Sequence, residues 1–219
     1  MPKLLSTKML ELSQRNLLIY AGLSVVEYNA VGIKFSDSIN LPEKSECAIF
    51  TSKNAFRAIH KRVCIKNAFC VGEKTGDMLR RNNIVVRLQR NSSKALAETI
   101  LEDYSKNTFD FFCGNKRRPE LLDVLSKNGI RFNEVVVYQT EPRPKQFDSS
   151  FDGILFFSPS GVQSYLEMNE PNQIPVFCIG NTTAAEARQY FEDVNVANSP
   201  KIENVIAKAA SFFKHKKSR

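Results

Sequence analysis

The chain has 219 residues, 42% hydrophobic and 25% charged, which excludes disorder as the main state and suits one large domain or two small ones. No run approaches the roughly 18 uninterrupted apolar residues of a membrane span, and Lys3, Lys8, Glu11 and Arg15 interrupt the region a signal peptide would need apolar, so a cytoplasmic protein with no membrane partner is expected. Lys and Arg outnumber Asp and Glu by 31 to 23, a formal charge of +8 that favours anionic ligands.

In chain order, Lys3–Ser6 reads as a strand, Met9–Tyr20 as a helix and Ser24–Tyr28 as a second strand, with an extended segment near Glu27–Phe35. Short apolar runs follow at Ala48–Phe50, Ala68–Val71, Ile84–Val86 and Phe109–Cys113, then at Ile154–Phe157, Val176–Ile179 and Val194–Val196. Runs without polar alternation suit parallel strands buried on both faces. Leu121, Leu122 and Leu125 form a short helical stripe, and Ile202, Val205, Ile206, Ala209 and Phe213 a longer one. Ser160 with Gln163 reads as a capping box, and Ser199 before Pro200 as a second helix start. Val135–Thr140 is extended and runs into Glu141-Pro142-Arg143-Pro144, where prolines block helix and suggest a linker. Alternating strands and helices give an α/β class with parallel sheets.

A repeat organises these elements. Phe50-Thr51-Ser52-Lys53-Asn54-Ala55 matches Phe157-Ser158-Pro159-Ser160-Gly161-Val162; Phe69-Cys70-Val71-Gly72 matches Phe177-Cys178-Ile179-Gly180; and Ser93, Leu96 and Ile100 match Ser199, Ile202 and Ile206. The offsets are 107, 108 and 106 residues, one module used twice. The two extended crossings predict a discontinuous domain of residues 1–29 plus 142–219, an inserted domain of residues 36–134, and linker strands at 30–35 and 135–141.

Polar segments follow the strands and open the helices at Thr51–Asn54, Gly72–Thr75, Ser158–Gly161 and Gly180–Thr183. In open parallel sheets ligands bind beyond the carboxyl ends of strands, where helix N-termini offer free N–H groups and hydroxyls add donors for anionic oxygens. Any one of these hydroxyls can equally be only a cap. Lys116-Arg117-Arg118 is the main internal basic cluster, readable as an anion contact or as a solvated charge run. The tail 214–219 reads as a solvated terminus, and His60, on a helix with Ala55, Phe56 and Ile59, as structural. With only His60 and His215, and five cysteines lacking any CxxC pair, a metal site or a Ser-His-Asp triad has almost nothing to use. Cys70, Cys113 and Cys178 read as buried, reduced thiols. No GxGxxG or GxxxxGK[ST] is present, and basic residues lack the aromatic interleaving of nucleic-acid binders.

FTSKNAF (50–56), CVGEKT (70–75), NEVVVYQTEP (133–142), FFSPSGV (156–162), CIGNTTAAEA (178–187) and SPKIENVI (199–206) together resemble the uroporphyrinogen-III synthase family over nearly the whole chain. The resemblance implies two flavodoxin-like or Rossmann-like domains joined by a two-stranded linker, with substrate bound in the cleft between them. It implies a lyase of porphyrin and heme biosynthesis that closes hydroxymethylbilane to uroporphyrinogen III, loses water and inverts ring D through a spiro intermediate. No cofactor or metal is implied, and no indispensable acid or base. The substrate's eight carboxylates would give the +8 charge a purpose. A monomer is expected, with transient contact to the preceding deaminase.

The family's cleft motifs match Ser158, Ser160, Gly161, Thr182 and Thr183 in the discontinuous domain, and Thr51, Ser52, Asn54, Gly72 and Thr75 in the inserted one; Ser199, Lys53, Arg118 and Tyr138 are further candidate substrate contacts. Lys8 stands where many members have arginine. Some members place a tyrosine on the helix after SPSG; the matching slot here is Ser164, with candidate proton donor Tyr165 one residue on, turned by about 100°. The alternative from another class is a non-catalytic two-lobed protein binding an anionic small molecule.

Overall fold

The computed structural model describes residues 1–36 and 40–217, with side chains as far as Lys214. The remainder of the basic tail, His215 included, lies outside the described side chains. In chain order the elements are β1 (Lys3–Ser6), α1 (Leu12–Tyr20), β2 (Ser24–Glu27), β3 (Val31–Phe35), β4 (Lys44–Phe50), α2 (Lys53–Ile59), β5 (Cys64–Val71), α3 (Glu73–Arg81), β6 (Val86–Arg90) and α4 (Ser93–Asp103). They continue with β7 (Thr108–Gly114), α5 (Glu120–Lys127), β8 (Arg131–Pro142), β9 (Gly153–Phe156), α6 (Pro159–Leu166), β10 (Val176–Cys178), α7 (Asn181–Ala187), β11 (Val194–Val196) and α8 (Ile202–Lys217).

The chain divides into two units, Met1–Gly32 with Glu141–Arg219, and Ile33–Thr140. The discontinuous unit holds the sheet β11-β10-β9-β1-β2, with all of these neighbours parallel. Successive strand residues point to opposite faces, which splits its core in two. Leu5, Ile154, Phe156 and Val176 pack under Val162 and Tyr165 of α6 and Ala184 of α7. Leu4, Leu155 and Phe177 pack under Leu18 of α1 and Val205, Ile206 and Phe213 of α8.

The inserted unit repeats the plan. Its sheet runs β3-β8-β7-β4-β5-β6, and β4–β5, β4–β7, β5–β6 and β7–β8 are parallel. Ile49, Phe69, Phe109 and Phe111 face α4 and α5 through Leu96, Ile100, Leu121 and Leu125. Ala48, Phe50, Ala68 and Phe112 face α2 and α3 through Phe56, Ile59 and Leu79.

The two sheets are one module in two chain orders. The repeat pairs β4 with β9, β5 with β10 and β6 with β11. The order β8-β7-β4-β5-β6 then overlays β2-β1-β9-β10-β11. The first two strands of the chain thus supply what β7 and β8 supply in the inserted unit, a circular permutation of the same fold.

Several boundaries differ from the sequence reading for identifiable reasons. Helix α1 starts at Leu12 rather than Met9, because Glu11 and Gln14 form a capping box there. Strand β6 is Val86–Arg90 rather than Ile84–Val86; its alternation of Arg87, Leu88 and Gln89 is that of an edge strand with one covered side. Ser158, not Ser160, caps α6, with Pro159 in the first turn. Helix α8 begins at Ile202, and the Ser199 hydroxyl instead accepts from the Asn204 side chain at 2.8 Å. Val135–Thr140 is extended as expected, within the longer strand β8, whose residues from Arg131 to Tyr138 pair with β7.

Candidate functional site

In the inserted unit the chain leaves β4 toward β5 and β6 on one side, and later fills β7 and β8 on the other. That reversal opens a crevice at the carboxyl ends of β4 and β7. A pocket of about 370 Å³ lies there, lined among others by Ser52, Asn91, Ser92, Lys116, Arg118 and Tyr138. A larger cavity, about 630 Å³, lies against α1 and α8 beside Tyr20, Leu23 and Phe213. It carries none of the expected site residues.

Ser52 caps α2, accepting from Asn54 N–H at 3.1 Å, and Thr51, Lys53 and Asn54 beside it are half-buried. Gly72 has φ +84°, the left-handed region that glycine enters without strain, and its N–H donates to Arg90 O at 2.8 Å. Thr75 is buried at 6% exposure rather than presented at the rim. The pocket also draws on Asn91–Ser93, which sequence reasoning does not place in the site. A signal for it is present, since Ser93 belongs to the repeat; the Ser92 hydroxyl caps α4 by accepting from Ala95 N–H at 3.2 Å.

The loop after β7 is fixed from both sides. Asn115 N–H donates to Tyr138 O at 3.1 Å, and Thr140 N–H donates to Asn115 Oδ1 at 2.8 Å. The Arg117 guanidinium grips Glu134 through both nitrogens, Nε to Oε1 and Nη2 to Oε2 at 2.7 Å. This pairing holds the Glu134 carboxyl below the usual range and raises Arg117. Burial, reinforced by the Glu134 charge, pushes the Cys113 thiol up to about 12, so it is no thiolate nucleophile. Arg118 is exposed and, among the described residues, has no ion pair or hydrogen bond.

The discontinuous unit has its own reversal between β1 and β9. Ser158 accepts from Gly161 N–H at 3.0 Å, capping α6, and Gly161 backs onto Thr7, where an added Cβ would meet Oγ1 at 3.5 Å. The loop after β1 carries Lys8, exposed, whose carbonyl accepts from Ser6 Oγ at 2.6 Å and whose ammonium has no partner among the described residues. Thr182 is exposed on the first turn of α7, whereas Thr183 is 2% exposed. Ser160 and Ser199 are half-buried. Tyr165 is 3% exposed, its ring edge-on to Phe156 at 5.9 Å, and burial raises its phenol pKa. Ser164 is also buried, its Oγ accepting from Arg143 N–H at 3.0 Å. Neither the matching slot nor its neighbour is solvent-facing. The His60 ring lies 5.1 Å from Phe56.

Charge is divided unevenly. Residues 33–140 hold 19 basic and 12 acidic side chains, whereas the rest of the chain holds 12 and 11. Nearly all the positive excess therefore belongs to the unit with the polar pocket. Among the described residues no three His, Cys, Asp or Glu side chains gather as a metal site, and no helix is long and apolar enough to cross a membrane.

Two doubly wound α/β units, one inserted in the other and each with a serine-capped helix start after the strand at its reversal, define a two-domain protein of the HemD-like fold. Residues 14–207 match the family model described as Uroporphyrinogen-III synthase HemD, and the chain belongs to that family. Membership makes it a lyase of porphyrin biosynthesis. The fold is similar to that of the crystal structure of uroporphyrinogen-III synthetase from Helicobacter pylori, with TM-score 0.74 and 19% identity over 97% of this chain and 100% of that one. A mutant uroporphyrinogen III synthase from the extremely thermophilic bacterium Thermus thermophilus matches with TM-score 0.63 and 11% identity over 100% of both chains. No curated protein matches the chain.

Proposed function

We propose that the protein closes hydroxymethylbilane to uroporphyrinogen III, with loss of water and inversion of ring D. Beyond family membership, one observation carries this reading. A rim of N–H and hydroxyl donors at a sheet's reversal point, followed by a loop with an unpaired cation, is built twice, and the substrate class is polycarboxylate. Ser52, Ser92 and Arg118 serve one rim; Ser158, Thr182 and Lys8 serve the other.

With a proton taken up from solvent, the hydroxymethyl oxygen departs as water and leaves an azafulvenium cation; the proton is returned at the final closure. Attack through the substituted carbon of ring D gives the spiro intermediate, which fragments and recloses with that ring turned over. The free bilane closes unaided to the unflipped type I isomer, so the protein's work is chiefly orientation. Donors aimed at carboxylates fix the bilane's curl, and they need no titrating residue. Tyr165 keeps its proton at neutral pH, but its place in the core gives it a packing role in this reading; rim N–H and hydroxyl donors assist the leaving oxygen. The test is turnover of fresh hydroxymethylbilane by catalytic amounts of protein. Consumption faster than spontaneous closure, yielding type III, is expected. Binding without acceleration would instead fit a non-catalytic anion-binding protein.

A further inference from the structure

The loops after the two reversal strands share a device that the synthase reading has not used. Each carries an exposed cation, and each is tied to a glutamate on the neighbouring strand. Glu27, on β2, accepts from Leu10 N–H at 2.9 Å and pairs with Arg15 Nη2 at 2.6 Å. Glu134, on β8, takes both forks of Arg117. β2 and β8 occupy the same place in the permuted module, so the tie has been built twice on one plan.

The pairing at Glu134 is too open to be chiefly a stabilising feature. The side chains of Arg117 and Glu134 are 28% and 29% exposed, and ion pairs at such exposure contribute on the order of 0–1 kcal/mol. Bidentate arginine–carboxylate geometry does fix direction. With Arg117 turned back onto β8 and Asn115 bonded to Tyr138 and Thr140, the loop has one course, and Arg118 leaves it unpaired. At Glu27 the carboxylate, 8% exposed, is divided between Leu10 N–H and Arg15, which fixes Leu10 and leaves the Lys8 ammonium unpaired. Each glutamate neutralises one arginine and presents another cation.

We propose that Glu134 and Glu27 are positioning residues, which hold the loops so that Arg118 and Lys8 meet carboxylates of the ligand. This rests on the synthase reading for the identity of the ligand and on the geometry alone for the loops. Its signature is a contradiction of simple charge counting. Removing either carboxylate raises the protein's net charge, which by long-range attraction alone would tighten a polyanion; loss of loop position weakens it.

The test is titration of the protein with uroporphyrin, an octacarboxylate, followed by fluorescence, beside KM and kcat for hydroxymethylbilane. Glu134→Gln and Glu27→Gln should each weaken uroporphyrin about tenfold and raise KM similarly, with kcat within about twofold. The exchanged pair Arg117→Glu with Glu134→Arg, which restores the bridge, should recover binding to within about threefold of the parent. Unchanged or tighter binding by both Gln variants would overturn the proposal. So would an exchanged pair no better than Glu134→Gln, or a parent protein that does not bind uroporphyrin. The titration needs no turnover: a parent that binds uroporphyrin but makes no type III product would sink the synthase reading while the positioning role is still decided.

Discussion

The ring of Tyr138 lies directly across Gly114. The two are register partners on β8 and β7, at a bulge after Cys113, and a Cβ on Gly114 would sit 2.3 Å from Cζ and 2.5 Å from Cε2 of the ring. Glycine is required here by close approach rather than by backbone angle, and its bareness lets an aromatic wall close one side of the pocket.

Gly114→Ala must therefore swing the ring aside. Overpacking of this kind costs about 1–3 kcal/mol, and urea unfolding should show a loss in that range together with weaker uroporphyrin binding. Gly72→Ala makes a useful contrast. Nothing lies within 4 Å of its Cβ site, so its cost comes from the backbone alone, φ +84° with ψ +144°, about 1–3 kcal/mol, with Tyr138 undisturbed.

The caps at the rims give a second prediction. Ser52→Ala and Ser158→Ala each remove a side-chain acceptor from a helix start, costing about 1 kcal/mol of stability. Type III formation at 25 °C should fall several-fold in each without disappearing, because the rim retains its backbone donors. Complete loss of turnover in either variant, with circular dichroism unchanged, would contradict a distributed site.

Acid should weaken the tie at Glu134 in a defined window. Its folded pKa lies below that of the unfolded chain because of Arg117. The pair's contribution is therefore fully present above the unfolded value of about 4.3 and is lost as pH falls through the lower folded value. Glu134→Gln should flatten that acid limb between about pH 5 and 3 while leaving stability at pH 7 nearly unchanged. An identical acid limb in the variant would show that Glu134 titrates normally.

Thiol chemistry separates Cys64 from three buried cysteines. Cys64 is exposed. Burial pushes Cys70 up to about 11 and Cys113 and Cys178 up to about 12. Iodoacetamide at pH 8 should label native protein at Cys64 and spare these three, with binding retained. Peptide mapping by mass spectrometry reads this directly, and early labelling of Cys113 would mean that the loop after β7 opens.

What is legible in the sequence depends on chemistry that acts locally. Apolar runs such as Phe109–Cys113 and Ile154–Phe157 mark strands because both faces of a parallel sheet are covered. The hydroxyls after them mark helix starts, although the choice between Ser158 and Ser160 turns on which side chain reaches Gly161 N–H. Edge strand β6 is displaced in the sequence reading because its charged residues look like loop. The course of β8 reads as a linker because prolines end it, whereas pairing to β7 is a non-local fact. Burial of Tyr165 and the Arg117–Glu134 grip also depend on partners distant in sequence. The repeat is visible, but its permuted closure by β1 and β2 emerges only from strand order.

The central claim is that the protein dictates which isomer forms. Freshly generated hydroxymethylbilane, mixed with an excess of protein and oxidised at once, yields porphyrins whose isomers can be separated and quantified. Type III should dominate there and at catalytic amounts of protein as well, with type I appearing only once the protein is so dilute that turnover is slower than spontaneous closure. Type I at the spontaneous rate, from folded protein in excess, would contradict it.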